Sequence, residues 1–184
     1  MAEKRIKRVL KGWLWWLAGE LVALIFTLCM VLPMRRFMLV RLFVGIASVF
    51  IVNALYFNFA CNCAKADLNA VKYHGAERNS YEGLTIAMWA PLFQYIMWIV
   101  LLLSKLGVVG DIFNYYILGN IQCIAWVDLF TAERTINVLT PAGLIGLLAI
   151  VLVAPITIII TYECTYRELD IKALVMYEKD GKDK

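Results

Sequence analysis

The chain is predicted to be an all-α, polytopic membrane protein with four transmembrane helices, and three observations point there. Of its 184 residues, 62% are apolar and only 17% charged, against roughly 45–50% and 25% in soluble domains. The mean hydropathy is +0.74. The apolar residues gather in runs of about twenty, the length that crosses a hydrocarbon core about 30 Å thick. Those runs are apolar on every face, whereas the strands of a membrane barrel would alternate in polarity. One membrane domain over residues 1–184 is expected.

The first span is expected at 13–34, entered through Trp13, Trp15 and Trp16, whose amphipathic rings suit the headgroup level. No small-x-small cleavage site follows, and the run is too long for a secretory signal core, so it is expected to stay as an anchor. Pro33 ends it. The chain turns at Met34-Arg35-Arg36 and re-enters at 37–60, a turn so short that the two helices must be antiparallel neighbours. Position 20 then lies level with about position 50. The pattern Ala64, Leu68, Val71 with Gly75 as a stop carries the second helix past the membrane into a loop over 61–83.

The third span, 84–106, starts where Asn79 is placed to cap and Glu82 to complete a capping box. The fourth, 141–162, has Thr140 as N-cap and Pro141 at the first helical position, where its missing N–H costs nothing. Between them, residues 107–139 are apolar but interrupted by Asp111, Asn114, Asn120, Gln122 and Asp128. Charge decides against a fifth span there. With four spans, the five basic residues of the N-terminus, three of loop 61–83 and five of the tail share one face, out of 18 in all. By the positive-inside rule both termini are cytoplasmic. Residues 107–139 are then expected on the outer face as short interfacial helices lying on or dipping into the interface, with Tyr115, Tyr116 and Trp126 as anchors.

The net charge of +4 sits in clusters flanking hydrophobic runs, so it reads as topology signal and headgroup contact, with no nucleic-acid footprint. A multi-pass protein of a cell membrane, the bacterial cytoplasmic membrane, fits this pattern. The bilayer is the first partner.

The stretch around Cys61, Cys63 and His74 invites a metal site. On a continuous helix, however, residues two apart point about 200° from each other, and His74 stands about 20 Å beyond Cys61. No metal, no cofactor and no catalytic residue is therefore assigned. No CxxC, phosphate loop or nucleophile–base pair occurs either, and an enzyme is not the expected reading.

Charges and amides inside spans are more informative, because lipid makes them costly. Glu20, level with Asn53 across the predicted hairpin, and Gln94, three residues after Pro91, form a candidate polar intramembrane site. Pro91 frees a backbone carbonyl and bends its helix, and Pro155 with Thr157 and Thr161 repeats that theme. Arg41 lies within snorkelling reach of the outer headgroups. Glu77, Arg78 and Asn79, with Tyr166 and Arg167 at the start of an amphipathic tail over 163–184, form a candidate cytoplasmic docking surface. The leading functional expectation is an accessory or scaffolding subunit that associates with other membrane proteins or with itself. The alternative is a component of a small-solute or ion transporter with its polar site between Pro-broken helices.

Three stretches carry a resemblance: Tyr56 to Asn58; Gly75-Ala76-Glu77-Arg78-Asn79 leading through Glu82-Gly83-Leu84 to Pro91; and Tyr162 to Tyr177. Together they resemble a group of small uncharacterised integral membrane proteins of anaerobic Gram-positive bacteria, in which the loop reads G-x-[DE]-R-N. Here Glu163-Cys164 stand where Leu-Gly is expected. The resemblance implies the topology, with loop 61–83 inside, and no activity.

Overall fold

The computed structural model describes residues 2–34, 37–76, 81–131 and 135–168. Every regular element among them is helical: α1 (Ala2–Met34), α2 (Met38–His74), α3 (Glu82–Trp89), α4 (Leu92–Lys105), α5 (Phe113–Gly119), a 3₁₀ turn (Ile121–Cys123), α6 (Ile124–Phe130) and α7 (Pro141–Tyr166). Three of these, α1, α2 and α7, are each long and apolar enough to cross a membrane. α3 and α4 together make a fourth such length, bent by 50°. The bend falls at Ala90–Pro91, as the missing proline N–H predicts.

α1 and α2 form the predicted antiparallel hairpin, and small residues set how closely they approach. A Cβ on Gly19 would lie 3.3 Å from the Val52 Cα, and one on Gly12 would lie 3.2 Å from the Phe59 ring. Further along, Thr27 Oγ1 and Ser48 Oγ are 3.3 Å apart. Residue 19 therefore sits beside 52, within a turn of the register read from the sequence.

α2 runs unbroken for 37 residues, about 55 Å at 1.5 Å per residue, and so extends well past any hydrocarbon core. Gly75 ends it with φ +60°, and its N–H bonds back to the Ala70 carbonyl, the left-handed stop that glycine adopts without Cβ strain. Cys61 and Cys63 part as expected. The Cys61 Sγ meets Thr165 Oγ1 at 3.4 Å, Cys63 lies in the core, and His74 is exposed.

The start of α7 is also as read: Thr140 Oγ1 accepts a hydrogen bond from the Gly143 N–H at 3.0 Å. α3 differs. Its N-cap position is Tyr81, which makes no side-chain cap, while the Glu82 carboxylate turns to arginines of α1. Asn79, the expected cap, lies outside the described residues.

Two apolar clusters fill the bundle. One, around Tyr56, Phe59, Ala60, Ala64, Ile158 and Tyr162, joins α2 to α3 and α7. The other is built from Leu101, Phe113, Tyr116, Cys123, Val127 and Leu147. This second cluster buries part of the 107–139 segment, whose aromatic residues were expected to anchor it at an interface. Tyr116 and Phe113 are fully buried, and the Trp126 ring packs on Gly45, where a Cβ would stand 3.0 Å from it. Only Tyr115 of the three expected anchors is exposed. The segment is drawn in among α1, α2, α4 and α7.

Local polar contacts hold it there. Asp111 Oδ1 accepts from the Phe113 N–H at 2.9 Å, and its Oδ2 accepts from the Ile136 N–H at 3.3 Å. Lys105 Nζ donates to the carbonyls of Ile136 and Asn137, both at 3.1 Å. Arg41 also turns inward, donating to the Asp128 carbonyl at the end of α6 at 3.5 Å.

Candidate functional site

Gly19 brings α1 against α2, and the next residue, Glu20, faces the interior. Its carboxylate is 3% exposed. Trp16 Nε1 donates to Oε1 at 3.2 Å from one turn earlier. The N–H of Gln122 in the 3₁₀ turn donates to Oε2 at 3.2 Å. A carboxylate removed from water needs donors, and here neutral ones supply them. The contact also explains why the 3₁₀ turn penetrates the bundle: it delivers a backbone N–H to a buried carboxyl oxygen 102 residues earlier in the chain.

Gln94 joins this site. It is fully buried, and its amide stands near the Glu20 carboxylate, outside hydrogen-bonding geometry. Pro91 places it by bending the chain. The carbonyl that Pro91 cannot bond, that of Ala87, accepts instead from the Tyr95 hydroxyl at 3.1 Å, so one side chain repairs the proline break. Phe93 from the same turn packs on Trp13 and Trp16, with ring centroids at 4.9 and 5.3 Å, and clasps α4 to α1 beside Glu20.

Glu20 and Asn53, level with each other across the hairpin, do not bond to one another. Asn53 Nδ2 closes on its own helix, donating to the Val49 carbonyl at 2.8 Å, while its Oδ1 is buried without a partner. Trp16 and Gln122 occupy the carboxylate in its place. Of the three expected residues, the structure brings Glu20 and Gln94 together, while the Asn53 amide nitrogen bonds within α2 and its oxygen is left without a partner.

Two further residues belong to the centre that sequence reasoning did not select, Asn120 and Gln122. Both are buried, with amide atoms that lack protein partners. Their polarity interrupts an apolar run, which was legible; their destination was not. A groove of about 390 Å³ opens sideways between α1 and α3, lined by residues including Arg5, Leu10, Trp13 and Trp89. It does not reach the polar centre, since none of Glu20, Asn53 or Gln94 lines it.

A second constellation lies at the other end of α1. Arg8 meets Asp67 in a two-point contact, Nη1 to Oδ2 at 2.7 Å and Nη2 to Oδ1 at 2.5 Å, and also reaches Glu82 Oε1 at 3.1 Å. Arg5 approaches the other Glu82 oxygen at 3.4 Å. The Tyr162 hydroxyl donates to Asp67 Oδ2 at 2.8 Å. Four helices, α1, α2, α3 and α7, are thereby tied at one level. Gly83 makes the approach possible, because a Cβ there would lie 2.5 Å from the Tyr162 ring.

The expected docking surface is only partly in view. Glu77, Arg78 and Asn79 lie outside the described residues, as does the tail beyond Glu168. Tyr166 is buried and stacked on Tyr162, with centroids 5.7 Å apart; it is a packing residue rather than a contact surface. Arg167 is exposed and pairs with Glu163 at 2.9 Å.

No family model, curated protein or solved structure matches the chain. Function is therefore argued from the geometry alone. That geometry offers a closed carboxylate–amide centre inside the bundle and a charge network that locks its helices at one end. Among the described residues, no group of three His, Cys, Asp or Glu converges as a metal site would require.

Proposed function

We propose that the protein is a multi-pass component of a cell membrane, with four spans and both termini cytoplasmic, that serves as an accessory or scaffolding subunit. In this reading α3 and α4 form the bent third span, and residues 107–139 enter from the outer face and dip to Glu20. The basic residues at the start of α1, in loop 61–83 and in the tail support this orientation. So does the resemblance of the Gly75–Asn79 turn to the membrane protein group named above.

The observation that carries the reading is closure. Gln94 is 0%, Gln122 1% and Glu20 3% exposed, so the polar groups within the spans serve packing between helices and line no open path. Polar side chains that bond across helices specify how a membrane bundle assembles. What the bundle presents outward is apolar surface, the requirement for association within the membrane. Native mass measurement of the full chain extracted in mild detergent is expected to show a stoichiometric protein complex. A monomer carrying lipid alone would overturn the proposal.

A second reading, a transport component, is favoured by the buried amides of Gln94, Asn120 and Gln122 that lack protein partners. Polar groups of this kind at a closed centre suit an occluded solute or ion that is released when residues 107–139 move. Reconstituted vesicles are expected to show flux that Gln94→Leu and Glu20→Gln both abolish. Flux unchanged in both variants excludes it.

A further inference from the structure

Glu20 is an acid that the rest of the bundle does not balance. Its two oxygens each accept one N–H, from the Trp16 indole and from the Gln122 backbone, and both donors are neutral. Among the described residues, no lysine, arginine or histidine bonds to it. Arg8 is held by Asp67 and Glu82, about 18 Å back along α1 at 1.5 Å per residue. A carboxylate 3% exposed is costly to bury without an opposite charge beside it.

Two side chains next to this carboxylate hold polar atoms that serve no other partner. Gln94, fully buried, has neither Oε1 nor Nε2 in a hydrogen bond, and the buried Tyr56 hydroxyl has none either. Both residues stand within electrostatic reach of Glu20. Leucine and phenylalanine would fill the same volume without a buried polar atom to satisfy. Because nothing holds the Gln94 amide, it can turn its oxygen toward Glu20 without breaking a bond. A carboxylate offers about four lone-pair sites; the two N–H donors take two and leave the others open.

The centre therefore assembles carboxylate, amide and hydroxyl oxygens from α1, α4 and α2. Oxygen ligands of this kind suit hard cations, and one negative charge matches one positive charge. A divalent or transition ion would call for more acidic, imidazole or thiolate ligands, and no such group converges among the described residues. The position fits as well. Glu20 lies near the middle of a hydrocarbon core about 30 Å thick, and Gln94 follows the bend of the α3–α4 pair; broken helices near the midplane are where membrane bundles hold ions.

We infer that this centre is a site for one monovalent alkali cation, held by the Glu20 carboxylate, Gln94 Oε1 and the Tyr56 hydroxyl oxygen. The inference rests on the transport reading given above and names the class of ion for it. A proton on Glu20 would also remove the charge, but it would engage one acceptor only, whereas a cation uses the carboxylate, amide and hydroxyl oxygens together.

The test is thermal unfolding of the full chain in a neutral detergent, in NaCl, KCl or choline chloride at equal ionic strength. The midpoint is expected to rise with Na⁺ or K⁺ concentration and to saturate, with no such rise in choline, because a ligand bound only by the folded state stabilises it. Glu20→Gln, Gln94→Leu and Tyr56→Phe are each expected to raise the half-saturating cation concentration roughly tenfold or more. Gln94→Leu and Tyr56→Phe remove only unpartnered polar atoms, so both should still unfold cooperatively in choline, which separates a lost ion from a lost fold. A midpoint indifferent to the cation, or a cation response that all three variants retain, overturns the inference. So does stabilisation by falling pH with no dependence on the cation, since a proton would then neutralise Glu20. Flux in reconstituted vesicles separates the site from the transport reading. A saturable cation response without flux keeps the ion as a structural ligand and ends the transport reading; flux without any cation response ends the ion site and leaves that reading standing.

Discussion

Replacing Arg8 by methionine removes the centre of the four-helix charge network while keeping a side chain of similar reach. Two Arg8–Asp67 hydrogen bonds and the contact to Glu82 are lost, while the Tyr162 hydroxyl still donates to Asp67. The side chains of Arg8, Asp67 and Glu82 are only 11%, 15% and 11% exposed. They lie near the buried regime, in which breaking one partner costs about 3–5 kcal/mol, because the surviving charge is stranded. Arg5 remains beside Glu82, so the lower end applies: about 3 kcal/mol, roughly a hundredfold in the folding equilibrium. Arg8→Met with Asp67→Leu should cost less than the sum of the two single changes by about 1–3 kcal/mol, since no charge is then stranded. The assay is reversible unfolding in mixed micelles with rising denaturing detergent. Lys72→Ala is the control: it breaks an exposed ion pair with Glu168, a class worth about 0–1 kcal/mol. Arg8→Met within 0.5 kcal/mol of the parent, or strictly additive changes, would refute the claim that this network ties the helices.

Other consequences are equally direct. Tyr95→Phe leaves the Ala87 carbonyl without its replacement donor and should destabilise by about 1 kcal/mol in the same unfolding assay; combined with Pro91→Ala, which restores a backbone N–H, the hydroxyl should no longer matter. Glu20→Leu strands the Gln122 N–H and the Trp16 indole, for a loss of about 1–3 kcal/mol each, and the Trp16 indole N–H resonance should move in nitrogen-15 spectra. Gly83→Ala drives a Cβ into the Tyr162 ring, at 2.5 Å before relaxation. An overpacking cost of about 1–3 kcal/mol is expected, and Tyr162→Phe in the Gly83→Ala background should then lose little more, because the ring has already left Asp67.

What the sequence made legible were features whose cause is local. The shortness of the connection after Pro33 made the hairpin legible and, to within a turn, its register; Thr140-Pro141 marked the start of α7, Gly75 the end of α2 and Pro91 the bend. Each follows from a backbone group that a nearby residue satisfies or withholds. How deeply residues 107–139 pack was not legible, for the opposite reason. Short apolar helices broken by amides look the same whether they lie on an interface or fold inward, and only the Gln122–Glu20 contact, 102 residues apart, decides. Glu82 resembled a capping residue because its true partners, Arg5 and Arg8, are more than seventy residues away. Asp67 did carry a readable signal as a lone acid on the stripe of Cys63, Ala64 and Val71.

Closure of the Glu20–Gln94 centre within a membrane-spanning bundle is tested most directly by thiol labelling in native membranes. Cysteines would be placed singly at Gln94 and Gln122 on a background without native cysteines, and treated with a membrane-impermeant maleimide from each side in turn. Both sites should stay unlabelled until the protein is denatured. In the proposed orientation, cysteines at His74 and Val108, both exposed, should react from the inner and the outer side respectively. Rapid labelling at Gln94 or Gln122 in the folded protein would contradict the account, because it would reveal an open aqueous path where a sealed core is required.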